Sequence, residues 1–288
     1  MRIGTRASPL ALAQARLVLD ALGGDGEIVP ITTSGDRDRT LPDKAKWVTE
    51  LERALVDGEI DVAVHSAKDV PTSLPDGLAL VGCLPREDPR DAVCGTLRVD
   101  GRAAVVGTAS LRRAAQLRAL DAGEDGVSFE VVELRGNVDT RLGKLAAGEV
   151  DAVVLALAGL RRLGREDAVG CVLDEVVPAA GQGTVVLEAR AGVRIDLRHA
   201  PTWRALTAER ACVHALGADC DSAVGVHLRD DGTLVAWVGA ADGSAWLRDE
   251  LRTVDGRADE DAAALGLKVA ERLLAAGAHA LLHPEAGA

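Results

Sequence analysis

An internal repeat constrains this chain more than any other feature of its sequence. Gly-Glu-Ile-Asp-Val-Ala-Val at 58–64 returns as Gly-Glu-Val-Asp-Ala-Val-Val at 148–154, an offset of 90 residues, each time after a helical pattern and at the mouth of an apolar strand. Ile-Gly-Thr-Arg-Ala-Ser at 3–8 has a shorter counterpart in Val-Gly-Thr-Ala-Ser at 106–110. A unit used twice must bury its apolar faces twice, so the chain reads as two similar lobes with a cleft between them. Within each lobe strand and helix alternate, the pattern of a mostly parallel sheet covered by helices. The first half predicts strands near 2–5, 28–33, 61–65 and 78–84, with helices over 9–22 and 47–57. The second predicts strands at 103–106, 129–134 and 151–157, with helices at 111–121 and 138–147. Ser8 followed by Pro9 is a helix start: a capping hydroxyl, then a residue with no N–H to satisfy.

After Pro201 the pattern changes. One helix runs to about Leu216, and then three strand-like runs are divided by Asp-Asp-Gly-Thr (230–233) and Ala-Asp-Gly-Ser (241–244), both hairpin signals. A long helix from Glu260 to Ala276 stops before Gly277. This is a third, antiparallel α+β unit. At 288 residues, 48% of them hydrophobic, the chain can fill two or three cores.

Composition removes several classes of function. The longest run of apolar residues and Gly, Ala152 to Leu160, falls far short of the roughly 20 residues of a membrane span. The first residues lack the apolar core of a signal peptide, which makes the cytoplasm the expected location. Cys83, Cys94, Cys171, Cys212 and Cys220 form no Cys-x-x-Cys pair, so neither a disulfide framework nor a metal site is expected. A net charge of −12 and a near absence of aromatic residues argue against nucleic acid. The charge is uneven, however: from Arg86 to Arg165 thirteen Lys/Arg face twelve Asp/Glu. A locally cationic middle in an acidic chain fits a small anion.

Three segments could bind one. Gly107-Thr108-Ala109-Ser110 opens a helix whose free N–H groups attract anions, with Arg112 and Arg113 beside it. Leu134-Arg135-Gly136-Asn137 with Arg141, and Gly159-Leu160-Arg161-Arg162, repeat the arrangement at two more strand ends, where open α/β sheets bind ligands. For any one of them, solvated arginines at a helix end are the alternative. His65-Ser66-Ala67-Lys68-Asp69-Val70-Pro71 follows an apolar strand. Asp69 either holds a substrate N–H and a developing cation or tightens the turn before Pro71, and His65 alone reads as structural. Cys220, in a loop between helix and strand, is either an inert thiol or a nucleophile and attachment point.

Taken in order, these segments resemble the porphobilinogen deaminase (hydroxymethylbilane synthase) family over nearly the whole chain. The resemblance rests on Arg-Ile-Gly-Thr-Arg-Ala-Ser-Pro-Leu-Ala (2–11), His-Ser-Ala-Lys-Asp-Val-Pro (65–71), Arg-Glu-Asp-Pro-Arg-Asp-Ala (86–92) and Gly-Thr-Ala-Ser-Leu-Arg-Arg (107–113). It extends through Leu-Arg-Gly-Asn-Val-Asp-Thr-Arg-Leu (134–142), Ala-Gly-Leu-Arg-Arg-Leu-Gly (158–164), Gly-Gln-Gly (181–183) and Thr-Ala-Glu-Arg-Ala (207–211). It implies an α/β fold of two lobes like a type II periplasmic binding protein plus a C-terminal α+β domain with an antiparallel sheet. The implied domains are 1–85 with 180–198, 86–179, and 199–288.

What the resemblance implies about function is specific. A transferase of tetrapyrrole (haem and porphyrin) biosynthesis joins four porphobilinogen units head to tail, with loss of ammonia at each step, and releases hydroxymethylbilane. It does so on a dipyrromethane cofactor tied by a thioether to the cysteine matching Cys220. Asp69 matches the catalytic carboxylate, which bonds pyrrole N–H groups and stabilises the cationic azafulvene. Lys68, Ser110, Arg112, Arg113 and Arg135 match cofactor-binding positions. Arg6, Ser8, Arg141 and Arg162 match substrate-binding ones, and Lys44, in the short segment Asp43–Trp47, aligns with the lysine of a mobile loop. A monomer in the cytoplasm is implied, with no metal, nucleic acid or membrane as partner. The competing expectation is a non-catalytic two-lobed small-anion-binding protein, which needs neither Asp69 nor Cys220.

Overall fold

The computed structural model describes residues 1–33, 48–121, 129–218, 222–252 and 259–283. The first sheet is built from β1 (Arg2–Arg6), β2 (Glu27–Ile31), β3 (Val62–Ser66), β4 (Leu78–Cys83) and a strand from far along the chain, β10 (Val185–Arg190), in the order β2-β1-β3-β10-β4. The second comprises β5 (Asp91–Gly95), β6 (Ala104–Thr108), β7 (Phe129–Glu133), β8 (Ala152–Ala156) and β9 (Cys171–Leu173), in the order β7-β6-β8-β5-β9. The two orders are the same once β1 is matched to β6 and β3 to β8, the strands that carry the sequence repeat. In each sheet four strands run one way and one is reversed, β10 between β3 and β4 in the first and β5 between β8 and β9 in the second. The mostly parallel reading holds, and the reversed strand has a definite origin. Each is the first strand the chain forms after crossing from the other sheet, through 84–90 in one direction and 174–184 in the other.

Helices α1 (Pro9–Ala21) and α2 (Thr49–Val56) belong to the first lobe, and α3 (Leu111–Asp121), α4 (Val138–Ala146) and α5 (Leu157–Arg162) to the second. Ser8 caps α1 as the sequence predicts, its hydroxyl accepting from the Ala11 N–H at 3.3 Å. One face of the first sheet is filled by Ile3, Val62, Val64, Val185 and Leu187 against Ala15 and Val18 of α1. The second lobe repeats this with Val153, Leu155 and Cys94 against Leu142 and Leu160. Each such large aliphatic side chain, removed from water, stabilises the fold by roughly 1.5–3 kcal/mol.

The C-terminal unit is a three-stranded antiparallel sheet, β11 (Val224–Leu228), β12 (Thr233–Gly239) and β13 (Trp246–Arg252), covered by α6 (Ala200–Ala215), α7 (Asp259–Ala275) and α8 (Ala278–Leu282). Its core joins Ala208 and Cys212 to Leu234, Ala236, Val269 and Leu273. The expected fold class is therefore observed: two similar α/β lobes and a separate antiparallel α+β unit. No described helix is long and apolar enough to cross a membrane. Among the described residues no cluster could hold a metal ion, and Cys83, Cys94, Cys171 and Cys212 are free.

Candidate functional site

Strand β3 ends in a single 3-10 turn, Ala67–Asp69, which sets Lys68 and Asp69 at the carboxyl end of the first sheet. Two cavities meet there. The larger, about 570 Å³, is bounded by Lys68, Asp69, Ser110, Arg112, Arg113, Arg141, Gln182 and Arg210. The smaller, about 80 Å³, is bounded by Arg6, Ser8, His65, Lys68, Asp69 and Arg162. Lys68 and Asp69 line both. The repeat explains the pairing: Ser8 and Ser110 occupy matching places after β1 and β6, each capping the helix that follows, and each faces one cavity.

The floor of the larger cavity is a buried charge network. Asp91 is fully buried and accepts from Arg112 Nη2 at 2.7 Å and from Arg113 Nε at 2.9 Å. Burial by itself would raise the Asp91 carboxyl, but the two guanidiniums pull it below the usual carboxylate range. Arg112 also donates to the Val177 carbonyl at 2.7 Å, while its buried Nε has no hydrogen-bond partner among the described residues. Two cations against one anion leave a surplus positive charge facing the cavity. The Lys68 ammonium adds to it, although burial, with Arg113 beside it, lowers this group to about 7. Arg210 ties the turn down, donating to the carbonyls of Val70, Pro71 and Thr72 at 3.1, 2.6 and 3.1 Å.

This geometry revises the sequence reading at particular residues. Arg112 and Arg113 are not solvated helix-end arginines; at 4% and 6% exposure they are held rigidly by Asp91. Arg141, matched to a substrate-binding position, lines the larger cavity with the cofactor-binding candidates. Arg135 lines neither cavity: it is half exposed, with its Nε 2.6 Å from Glu133. Gly136 (φ +138°) follows it and leads the chain into the start of α4. Arg162 lines the smaller cavity, its Nη2 donating to the Gly183 carbonyl at 2.6 Å. Lys44 and Cys220 lie outside the described residues. The residues on either side of the Cys220 segment, Ala218 and Ser222, do line the larger cavity.

Sequence reasoning missed the functional bearing of Asp91, Gln182 and Arg210. All three stand in quoted motifs, but nothing in one chain says that an acid at 91 underlies arginines at 112 and 113. A group carrying several carboxylates fits the larger cavity. The orphaned Arg112 Nε, the Lys68 ammonium and the surplus charge over Asp91 are complementary to it.

Comparison with known proteins adds the rest. The family model described as porphobilinogen deaminase, dipyromethane cofactor binding domain, matches residues 1–195. That of the porphobilinogen deaminase C-terminal domain matches 203–275. A curated porphobilinogen deaminase of Roseiflexus castenholzii is 44% identical over 98% of this chain and 98% of its own. One from Trichlorobacter lovleyi is 42% identical, covering 98% of this chain and 95% of its own. Among solved structures, the periplasmic VFT2 domain of Bordetella pertussis BvgS aligns with 67% of this chain and 81% of its own at 19% identity and a TM-score of 0.37. The alkanesulfonate-binding protein SsuA from Xanthomonas axonopodis pv. citri aligns with 66% of this chain and 65% of its own at 17% identity and a TM-score of 0.37. These two likenesses are too distant to add to the topology described above.

Proposed function

Because the chain belongs to the porphobilinogen deaminase family, we propose that its two adjoining cavities divide one reaction between them, the larger holding the growing chain and the smaller the incoming unit. The reaction is the head-to-tail joining of four porphobilinogen units into hydroxymethylbilane, with ammonia released at each step. When bound, the dipyrromethane cofactor supplies the pyrrole carbon on which the first unit is added. The observation that carries this reading is that Lys68 and Asp69 stand on the wall common to both cavities.

The chain's own residues then have distinct tasks. Lys68, Ser110, Arg112, Arg113 and Arg141 hold carboxylates in the larger cavity, where charge-assisted bonds are the strong ones. Arg6, Ser8 and Arg162 orient the carboxylates of porphobilinogen in the smaller one. Asp69, between them, accepts hydrogen bonds from pyrrole N–H groups and stabilises the positive charge left on the substrate as ammonia departs. A fixed carboxylate at a developing cation contributes more in the transition state than in the ground state. Cys220 is the proposed attachment point, flanked by cavity-lining residues on both sides. Arg135 and Lys44 stay proposed carboxylate contacts, at positions matched by the family resemblance. This assignment keeps 1–85 with 180–198 as the lobe of Asp69, 86–179 as the arginine-rich lobe and 199–288 as the attachment domain. It describes a cytoplasmic monomer whose partner is porphobilinogen.

The deciding experiment is intact-mass spectrometry under denaturing conditions, before and after porphobilinogen, with peptide mapping. A dipyrromethane adduct on Cys220 and a ladder of further units are expected. An unmodified chain that porphobilinogen leaves unchanged would favour the non-catalytic anion-binding reading. In Asp69→Ala the adduct should persist while turnover falls by about 100-fold or more; near-normal turnover would remove Asp69 from its role.

A further inference from the structure

Gln182 is fully buried on the crossing segment 174–184, between Gly181 (φ +73°) and Gly183 (φ +86°). Both flanking positions need glycine. A Cβ on Gly181 would press on Ala67 at 2.8 Å, and one on Gly183 would overlap the Glu87 carbonyl oxygen. The segment is thereby wedged between the other crossing and the turn that bears Lys68 and Asp69, and the Gln182 amide is left with four polar neighbours. Its Nε2 donates to Asp91 Oδ1 at 2.8 Å and to the Pro89 carbonyl at 2.6 Å. Its Oε1 accepts from Lys68 Nζ at 3.3 Å and from Arg113 Nη2 at 3.4 Å. On one side stand only acceptors and on the other only donors, so a single orientation of the amide satisfies all four.

We infer that Gln182 is a positioning residue for Lys68: the amide, locked by Asp91 and Pro89, presents its oxygen to the lysine and holds it as a charged ammonium on the wall between the two cavities. The inference rests on the function proposed above. A purely structural role would be met by the Nε2 bonds alone, whereas the Oε1 side meets the two cations that face the ligand. Other charges also act on Lys68. Asp69 on its own turn and Asp91 on β5 favour the ammonium, and Arg112 and Arg113 on α3 oppose it. Arg141 and Arg210 share the larger cavity, and Arg6, Arg162 and His65, the last with its Nε2 3.0 Å from Glu188 on β10, share the smaller. A hydrogen bond accepted from the charged form is the contribution that Gln182 can add.

The chain has five lysines and three glutamines, so isotope-edited NMR of the holoenzyme can follow each side chain separately. The Lys68 signal is identified by its loss in Lys68→Arg. In Gln182→Met the Lys68 midpoint should fall by about one pH unit, and kcat/KM for porphobilinogen above that midpoint should fall about tenfold with it. Gln182→Glu keeps an acceptor of the same length, so its midpoint should stay at or above the wild-type value. A Gln182→Met midpoint that does not move, or equal lowering in both variants, overturns the inference. Without any variant, the wild-type Gln182 side-chain amide should titrate with the Lys68 midpoint, and a pH-invariant amide overturns it as well. If the wild-type protein turns over no porphobilinogen, it is the proposed function that fails, and the Lys68 titration still judges Gln182.

Discussion

At the scale of single residues, the site works by holding like charges together. Arg112 and Arg113 lie side by side in the interior because Asp91 sits between them, 2.7 Å from a nitrogen of each. Removing that carboxylate leaves two buried guanidiniums uncompensated, which costs about 3–5 kcal/mol. Asp91→Asn should therefore lose about that much in chemical denaturation. Lys68 makes a second prediction. Burial lowers it to about 7 from an ordinary 10.5. Between those values the unfolded chain carries a proton on this lysine that the folded chain lacks, so stability rises with pH there. Without ligand, wild type should gain on Lys68→Met as pH climbs from about 7 to 10.5, read from paired urea melts. Sequence could name Lys68 and both arginines, because they follow strand ends. It could not show which cations are spoken for inside the protein.

At the scale of elements, the two crossings carry the information that local pattern lacks. Arg90 on the first crossing bonds Asp88 beside it and Asp174 on the second, the latter at 2.6 Å. The backbones of the two crossings also meet at Gly183, whose carbonyl accepts from the Glu87 N–H at 3.1 Å. Gly183→Ala combines a left-handed backbone with a Cβ against Glu87, and should cost roughly 1–3 kcal/mol, seen as a lowered Tm. The helices of two turns or more and most of the parallel strands were legible from apolar periodicity to within a few residues, whereas α5 and α8, at six and five residues, are too short to show a helical period. Strands β5, β9 and β10 were not legible, because β5 and β10 are almost wholly buried and β9 has three residues, so none shows alternation.

At the scale of the whole molecule, one carboxylate joins all three parts. Glu209 on α6 is fully buried and accepts from Arg86 Nη1 at 2.6 Å, the Gly181 N–H at 2.7 Å and the Leu228 N–H at 2.9 Å. It thus links the C-terminal unit to both crossings. Burial opposes its charge, but Arg86 and His227 hold it at about 2, below the ordinary 4.5. The stability it contributes is present above 4.5 and lost as pH falls from there towards 2. Glu209→Gln should weaken the fold by about 3–5 kcal/mol at neutral pH and flatten the acid limb of the stability curve in that window, both measurable by denaturation.

Sequence by itself determined the doubled α/β plan, the antiparallel third unit and the family, because repeats, caps and ordered motifs are local and survive reading along one line. It also placed Lys68, Asp69, Ser110, Arg112 and Arg113 among the site candidates. Only the tertiary structure decided that Lys68 and Asp69 stand between two cavities, that Asp91 neutralises one of two arginines and that Gln182 reaches Lys68. Those facts depend on segments 21 to 114 residues apart meeting in the interior. There, with water excluded, distance and donor geometry decide which charges remain available to a ligand.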